Sequence, residues 1–146
     1  MSVAMKDFEL TQNANFEALR AVQPYLAEFL EQKAKDLGFA SWTANYKGPY
    51  VELRDGEGKL RFVENVGLGY SCISGNPDCK SAIVLGLGLG NHFLNTFTEK
   101  DENLRIICCE PDPALLYWAL CLHNFSHLIS KGKLFFVVGE DKTDRD

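Results

Sequence analysis

The sequence predicts an α/β fold: a parallel half-sheet in βαβαβ order, preceded by N-terminal helices and a β-hairpin. Three observations carry that expectation. Continuous apolar runs at Ala82–Leu85, Leu104–Cys109 and Leu134–Val138 have the length and composition of parallel strands buried on both faces. Helix signals separate these runs. Upstream of them the hydrophobic period switches from 3.6 to 2, as a helix-then-hairpin segment requires.

Taken in order, residues 1–13 show no period and are expected to fray. From Asn15 onward, Phe16, Leu19, Val22, Leu26, Phe29, Leu30 and Leu37 form one stripe, with Glu17, Arg20, Glu28, Glu31 and Lys35 opposite. Pro24 lacks the N–H a helix interior needs. The stripe therefore reads as two helices meeting near Gln23, the second starting at Pro24 and stopping at Gly38. Such stripes are core packing, and no chemistry is assigned to them.

Tyr50–Arg54 and Lys59–Val63 alternate in polarity around Asp55-Gly-Glu-Gly58, a β-hairpin with strong turn chemistry. Trp42–Tyr46 is a candidate third strand. The aromatics Trp42, Tyr46, Tyr50 and Phe62 read first as packing for a small core, and only second as a stacking surface for a ligand. Residues 67–78 are a glycine- and proline-bearing connector.

Then comes the stretch the chain is built around. Gly86, Gly88 and Gly90 directly follow the first apolar run, where alternate glycines allow a tight reversal and let a ligand approach the backbone. His92 is expected to open a short helix that includes Phe93, Leu94 and Phe97. Glu110 ends the second strand, 20 residues after Gly90, a spacing at which a carboxylate can accept the hydroxyls of a ribose. Asp112-Pro113 is a cap and first turn for a helix carrying Leu115, Leu116, Trp118, Ala119, Leu122 and Phe125, which ends before Gly132. Gly139-Glu140-Asp141 follows the third strand on the same sheet edge as Gly86–Gly90 and Glu110. Open α/β sheets bind ligands at that edge. The candidate binding residues are thus Gly86, Gly88, Gly90, Glu110, Asp112, Glu140 and Asp141. The architecture is a partial Rossmann-like sheet, with residues 1–78 as helices plus hairpin and 79–146 as the βαβαβ half, packed as one domain.

Composition narrows the function. The 146 residues carry 46% hydrophobic content, enough for a core, and 15 basic against 20 acidic residues give a net charge of −5 with no basic cluster. Nucleic acid is therefore not an expected partner. No membrane span or signal peptide is readable, and the five cysteines include no Cys-x-x-Cys pair, so a cytoplasmic protein with reduced thiols is expected. Cys108 and Cys109, adjacent on a strand, should face opposite ways and so not form a metal pair. His92 reads first as a locally hydrogen-bonded residue and second as a ligand contact. His123 and His127, four apart, lack a third ligand and read as a solvated helix end. No catalytic set and no metal site is assigned, and whether the chain is an enzyme is left open.

Two family resemblances enter on these residues. Gly86-x-Gly88-x-Gly90, Glu110 and the acidic pair Glu140 and Asp141 resemble the first half of the S-adenosylmethionine-dependent methyltransferase fold. That likeness implies the glycine loop for the methionine part, Glu110 for the ribose and Glu140 or Asp141 for the adenine. Val84-Leu-Gly-Leu-Gly-Leu-Gly-Asn-His-Phe93, Ile107-Cys-Cys-Glu-Pro-Asp112, Phe136-Val-Val-Gly-Glu-Asp141 and the leading Asn15-Phe-Glu-Ala-Leu19 with Pro24-Tyr-Leu26 are more closely similar to the N-terminal domain of bacterial motility-associated factor glycosyltransferases. Those proteins are linked to flagellin glycosylation, with the transferase activity in the following domain. The resemblance implies an accessory Rossmann-like domain, not catalytic by itself, whose expected partner is a nucleoside-bearing small molecule. The alternative is an S-adenosylmethionine-dependent methyltransferase or a degenerate relative, so the cofactor expectation is S-adenosylmethionine or a nucleotide. The apolar edge at Ala82–Leu85 is expected to be covered by the hairpin, by a second copy of the chain, or by a C-terminal domain.

Overall fold

The computed structural model describes residues 5–66, 80–92 and 104–139. Helices α1 (Met5–Val22) and α2 (Pro24–Asp36) meet at Gln23, and Gly38 follows α2 with φ 74. After a short 3-10 turn at Phe39–Ser41, strands β1 (Thr43–Lys47), β2 (Tyr50–Arg54) and β3 (Leu60–Asn65) form an antiparallel sheet in order β1-β2-β3. A second, parallel sheet has the order β4-β5-β6, from β4 (Ser81–Leu85), β5 (Arg105–Glu110) and β6 (Leu134–Val138). Helices α3 (Pro113–Leu122) and α4 (Ser126–Ser130) lie between β5 and β6.

The first helix begins ten residues before the expected Asn15, and the reason is tertiary. The Phe8 ring packs edge-on to Trp118, with centroids 6.4 Å apart, and Gln12 donates to the Tyr117 hydroxyl at 2.7 Å. These contacts order a turn that carries no hydrophobic period of its own. The helix after Asp112 is likewise shorter than expected. It stops at Leu122, and Phe125 falls in the break before α4. Asn15, fully buried, produces that break: its amide donates to the carbonyls of Leu120 (2.7 Å) and His123 (2.6 Å), while its oxygen accepts from the Phe125 N–H at 2.8 Å. One side chain thus satisfies three backbone groups that a helix end leaves open.

The parallel strands are not buried on both faces. Val84, Ile106, Cys108, Leu134 and Phe136 turn into the core beneath the helices. Ile83 (67% exposed), Leu85 (81%), Ile107, Phe135 and Val137 stand on the other face, open to solvent. A parallel sheet buries both faces only where helices flank both, and the described helices stand on one side. Of the two outer edges, that of β6 is answered by the Gln23 side chain, which donates to the Phe136 carbonyl and accepts from its N–H, each at 2.9 Å. One buried cluster runs through the molecule from Phe16, Leu19 and Leu30 through Val51 and Leu53 to Leu116, Ile129 and Phe136. The antiparallel sheet therefore packs into the same core as the parallel one. Cys108 and Cys109 do face opposite sides of β5, the first buried and the second partly exposed.

Candidate functional site

The glycine loop is built as its sequence requires. Gly86, Gly88 and Gly90 all have positive φ, of 88, 59 and 85, and the intervening Leu87 and Leu89 point fully into the core. Alternation of this kind turns successive N–H groups outward, toward whatever accepts them. In this chain the acceptors belong to the protein. Gly86 N–H donates to the Cys109 carbonyl at 2.7 Å, and Gly90 N–H to that of Leu87 at 3.1 Å. Leu87 and Gly88 N–H both donate to Glu110 Oε1, at 3.1 and 2.9 Å. Leu89 N–H donates to Glu64 Oε1 and Asn91 N–H to Glu64 Oε2, both at 3.1 Å, and the Asn91 side-chain amide adds a third bond to Oε2 at 2.6 Å. Every N–H from residue 86 to 91 is thereby accounted for.

Glu110 does face the glycine bend, but it is only 4% exposed, and its second oxygen accepts the Asp112 N–H at 2.9 Å. The carboxylate holds the loop itself, which is a different task from the ribose contact its spacing suggests. Asp112 is exposed and caps α3, accepting the Ala114 N–H at 2.9 Å, as expected of Asp-Pro at a helix start. The structure thus brings Gly86, Gly88, Gly90, Glu110 and Asp112 to one sheet edge. Glu140 and Asp141 lie outside the described residues, as do the short helix expected after His92, the connector at 67–78, Cys72 and Cys79.

Glu64 is the residue that sequence reasoning missed. It sits two residues beyond Phe62 on β3 and so shares its face, where alternation calls for an apolar side chain. An inward carboxylate on an alternating strand was the available signal. A Cβ on Gly88 would collide with Glu64 Oε1 and press on the Phe62 ring, so glycine at 88 is needed for this approach as well as for its φ. Burial by itself pushes the Glu64 carboxyl up, but the interactions with His92, the Asn91 side chain and the Asn91 and Leu89 N–H groups outweigh it and hold Glu64 below the usual carboxylate range. His92 Nδ1 lies 3.7 Å from Glu64 Oε1, and this carboxylate raises the imidazole pKa against the opposing effect of burial. His92 therefore partners a protein side chain. His123 is not a solvated helix end: it closes α3 with its ring packed behind Gly90 and Phe125, its Nε2 is buried with no hydrogen-bond partner among the described residues, and burial lowers its pKa.

Two cavities flank the strand tips. One, about 490 Å³, lies against Leu85, Gly86, Cys109, Glu110 and Val137, continuous with the bare sheet face. The other, about 600 Å³, lies between α2, the antiparallel sheet and the ends of β5 and β6, and is walled by Phe29, Phe39, Trp42, Lys33, Arg61 and Asp112. In its wall, Gly139 meets Pro111 so closely that a Cβ on residue 139 would collide with the Pro111 carbonyl. Among the described residues no His, Cys, Asp and Glu group has metal-binding geometry, and no helix is long and apolar enough to cross a membrane.

The model of the glycosyltransferase Maf N-terminal domain matches residues 61–144. No curated protein matches the chain. Among solved structures, the Maf glycosyltransferase from Magnetospirillum magneticum AMB-1 is similar at 15% identity and a TM-score of 0.49, over 93% of this chain and 28% of that one. The chain thus spans less than a third of that protein's length.

Proposed function

The chain belongs to the glycosyltransferase Maf N-terminal domain family, and from that premise we propose that it is an accessory Rossmann-like domain, not catalytic by itself, in a cytoplasmic protein of motility-associated flagellin glycosylation. The observation supporting this reading is the closed glycine loop: its six successive N–H groups are all taken by the chain's own acceptors. In ligand-binding Rossmann folds, a loop of this kind leaves N–H groups for the ligand. Here a ligand on the loop has to displace Glu64, a carboxylate held by three hydrogen bonds. Glu110 is buried and accepts three backbone N–H groups, and Glu64 is taken up by the loop and the Asn91 amide, which weighs against either as a base or a ribose acceptor. The bare face of Ile83, Leu85, Ile107, Phe135 and Val137 suits a neighbouring domain, and the family's place at the N-terminus of a transferase makes the following domain its natural occupant.

Calorimetric titration with S-adenosylmethionine, together with an assay for nucleotide-sugar turnover by the chain alone, tests the proposal. Neither heat nor turnover is expected. Saturable heat with S-adenosylmethionine that Glu110→Ala abolishes overturns it in favour of a methyltransferase, and turnover of the nucleotide sugar overturns the non-catalytic assignment.

A further inference from the structure

We propose that the 600 Å³ cavity between α2, the antiparallel sheet and the tips of β5 and β6 binds a planar heteroaromatic ring carrying one phosphate, the chemistry of a nucleoside monophosphate. The site is separate from the glycine loop: none of Gly86, Gly88, Gly90, Glu64 or Glu110 lines it. The proposal therefore does not rest on the accessory-domain reading.

Size and lining come first. Small-molecule sites are typically about 300–1,000 Å³, mostly apolar, with a few polar groups that converge on the ligand. This cavity has the volume, and its apolar walls include the rings of Phe29 and Trp42, both part-exposed, over the buried ring of Phe39. Aromatic faces of that kind stack flat heterocycles without regard to their substituents.

The charges come next. Lys33 Nζ lies 5.7 Å from the Phe29 ring centroid, and the Arg61 guanidinium 5.1 Å from that of Trp42, so each cation is carried by one of the two rings. Arg61 is placed by an irregularity in the sheet. Consecutive residues Leu53 and Arg54 of β2 pair with Phe62 and Leu60 of β3, which leaves Arg61 as the extra residue of a bulge. Bulges re-aim a side chain that regular pairing would send elsewhere, and they are frequent beside binding sites. Arg61 also has Asp55 at 3.8 Å, a long ion pair between part-exposed groups that a phosphate can outcompete. Two cations thus line a cavity in a chain whose net charge is −5.

The third feature sits at the strand tips. Asp112 gives one oxygen to the Ala114 N–H, and a carboxylate has lone pairs to spare for sugar hydroxyls. Beside it, Gly139 lines the wall, packed so closely on the Pro111 backbone that only glycine fits. Ring, hydroxyls and phosphate each have a counterpart among the lining residues.

The test is a titration of the whole chain with UMP and AMP, followed by calorimetry and by tryptophan fluorescence, with uridine and inorganic phosphate as the two half-ligands. Saturable binding with a fluorescence change is expected for at least one nucleotide. Arg61→Ala and Lys33→Ala, each removing a lining cation, should each weaken it by roughly tenfold or more, the loss expected of one charge-assisted hydrogen bond. Glu64→Gln, on β3 where it bonds the glycine loop, should leave the affinity unchanged. Absence of saturation at millimolar nucleotide overturns the site. Equal binding of uridine overturns the phosphate assignment, equal binding of inorganic phosphate overturns the ring assignment, and loss on Glu64→Gln relocates binding to the loop and overturns the cavity.

Discussion

Glu110→Gln is the substitution that best separates a carboxylate holding the loop from one waiting for a ligand, because it keeps the side chain's shape and removes only charge and one acceptor. In the structure Oε1 accepts from Leu87 and Gly88 N–H, and Oε2 from Asp112 N–H. A hydrogen bond to a charged group contributes about 1.5–3 kcal/mol and a neutral one about 0.5–1.5 kcal/mol. If the glutamine oxygen replaces Oε1, two bonds fall to the neutral class, at a cost of about 2 kcal/mol together. The glutamine NH₂ then faces the Asp112 N–H, donor against donor, and leaving that group unsatisfied costs about 1–3 kcal/mol more. Flipping the amide is worse, since two N–H groups then lose their acceptor. Against this, a neutral amide is easier to bury than a carboxylate, which returns part of the loss. The net expectation is a destabilisation of about 2–4 kcal/mol, a large share of the roughly 5–15 kcal/mol a domain possesses. Urea unfolding at pH 7 should show the midpoint falling by about 1–2 M with unchanged slope. A change within about 0.5 kcal/mol, typical of a surface substitution, would refute the claim that Glu110 holds the loop together.

Two other predictions concern the same framework. Comparing wild type with Glu64→Gln across pH reports on the Glu64 charge and its partner His92. Glu64's depressed pKa gives stability that is present above 4.5 and lost as pH falls through the folded value, whereas His92's raised pKa gives stability that is present below 6.5 and lost as pH rises through the folded value. The difference between the two proteins' unfolding free energies should therefore peak between 4.5 and 6.5 and shrink on both sides; a difference flat with pH contradicts the pairing. His123, lowered by burial, is held up in part by the Glu64 charge, so its depression deepens in Glu64→Gln and adds to the difference below 6.5. Asn15→Ala should cost about 3 kcal/mol in thermal or chemical unfolding, because two buried carbonyls and one N–H lose their partner at once; a loss under about 1 kcal/mol would mean water replaces the amide.

Much of the architecture is legible in the sequence because local signals and tertiary structure agree. The period switch located the antiparallel sheet, Asp112-Pro113 marked the start of α3, and Pro24 marked the break between α1 and α2. The failures share one cause: groups distant in sequence set the outcome. The first turns of α1 are held by Trp118 and Tyr117, and the end of α3 by Asn15, none of which a window of neighbours reveals. The burial of the parallel strands is not legible, because an apolar run reports what a strand tolerates on its faces, and among the described residues helices meet only one face. At the loop, the glycine spacing revealed the bend and the outward N–H groups. It said nothing of who would answer them, since Glu64 lies more than twenty residues upstream on another sheet.

The shared bend has a mechanical consequence. Its amides bond on one side to β5 of the parallel sheet, through Glu110, and on the other to β3 of the antiparallel sheet, through Glu64. The short segment therefore works as a rivet driven through two plates, and neither plate can be peeled away without loosening the other. Deuterium should enter the backbone at 87, 88, 89 and 91 together, and only when both sheets come apart.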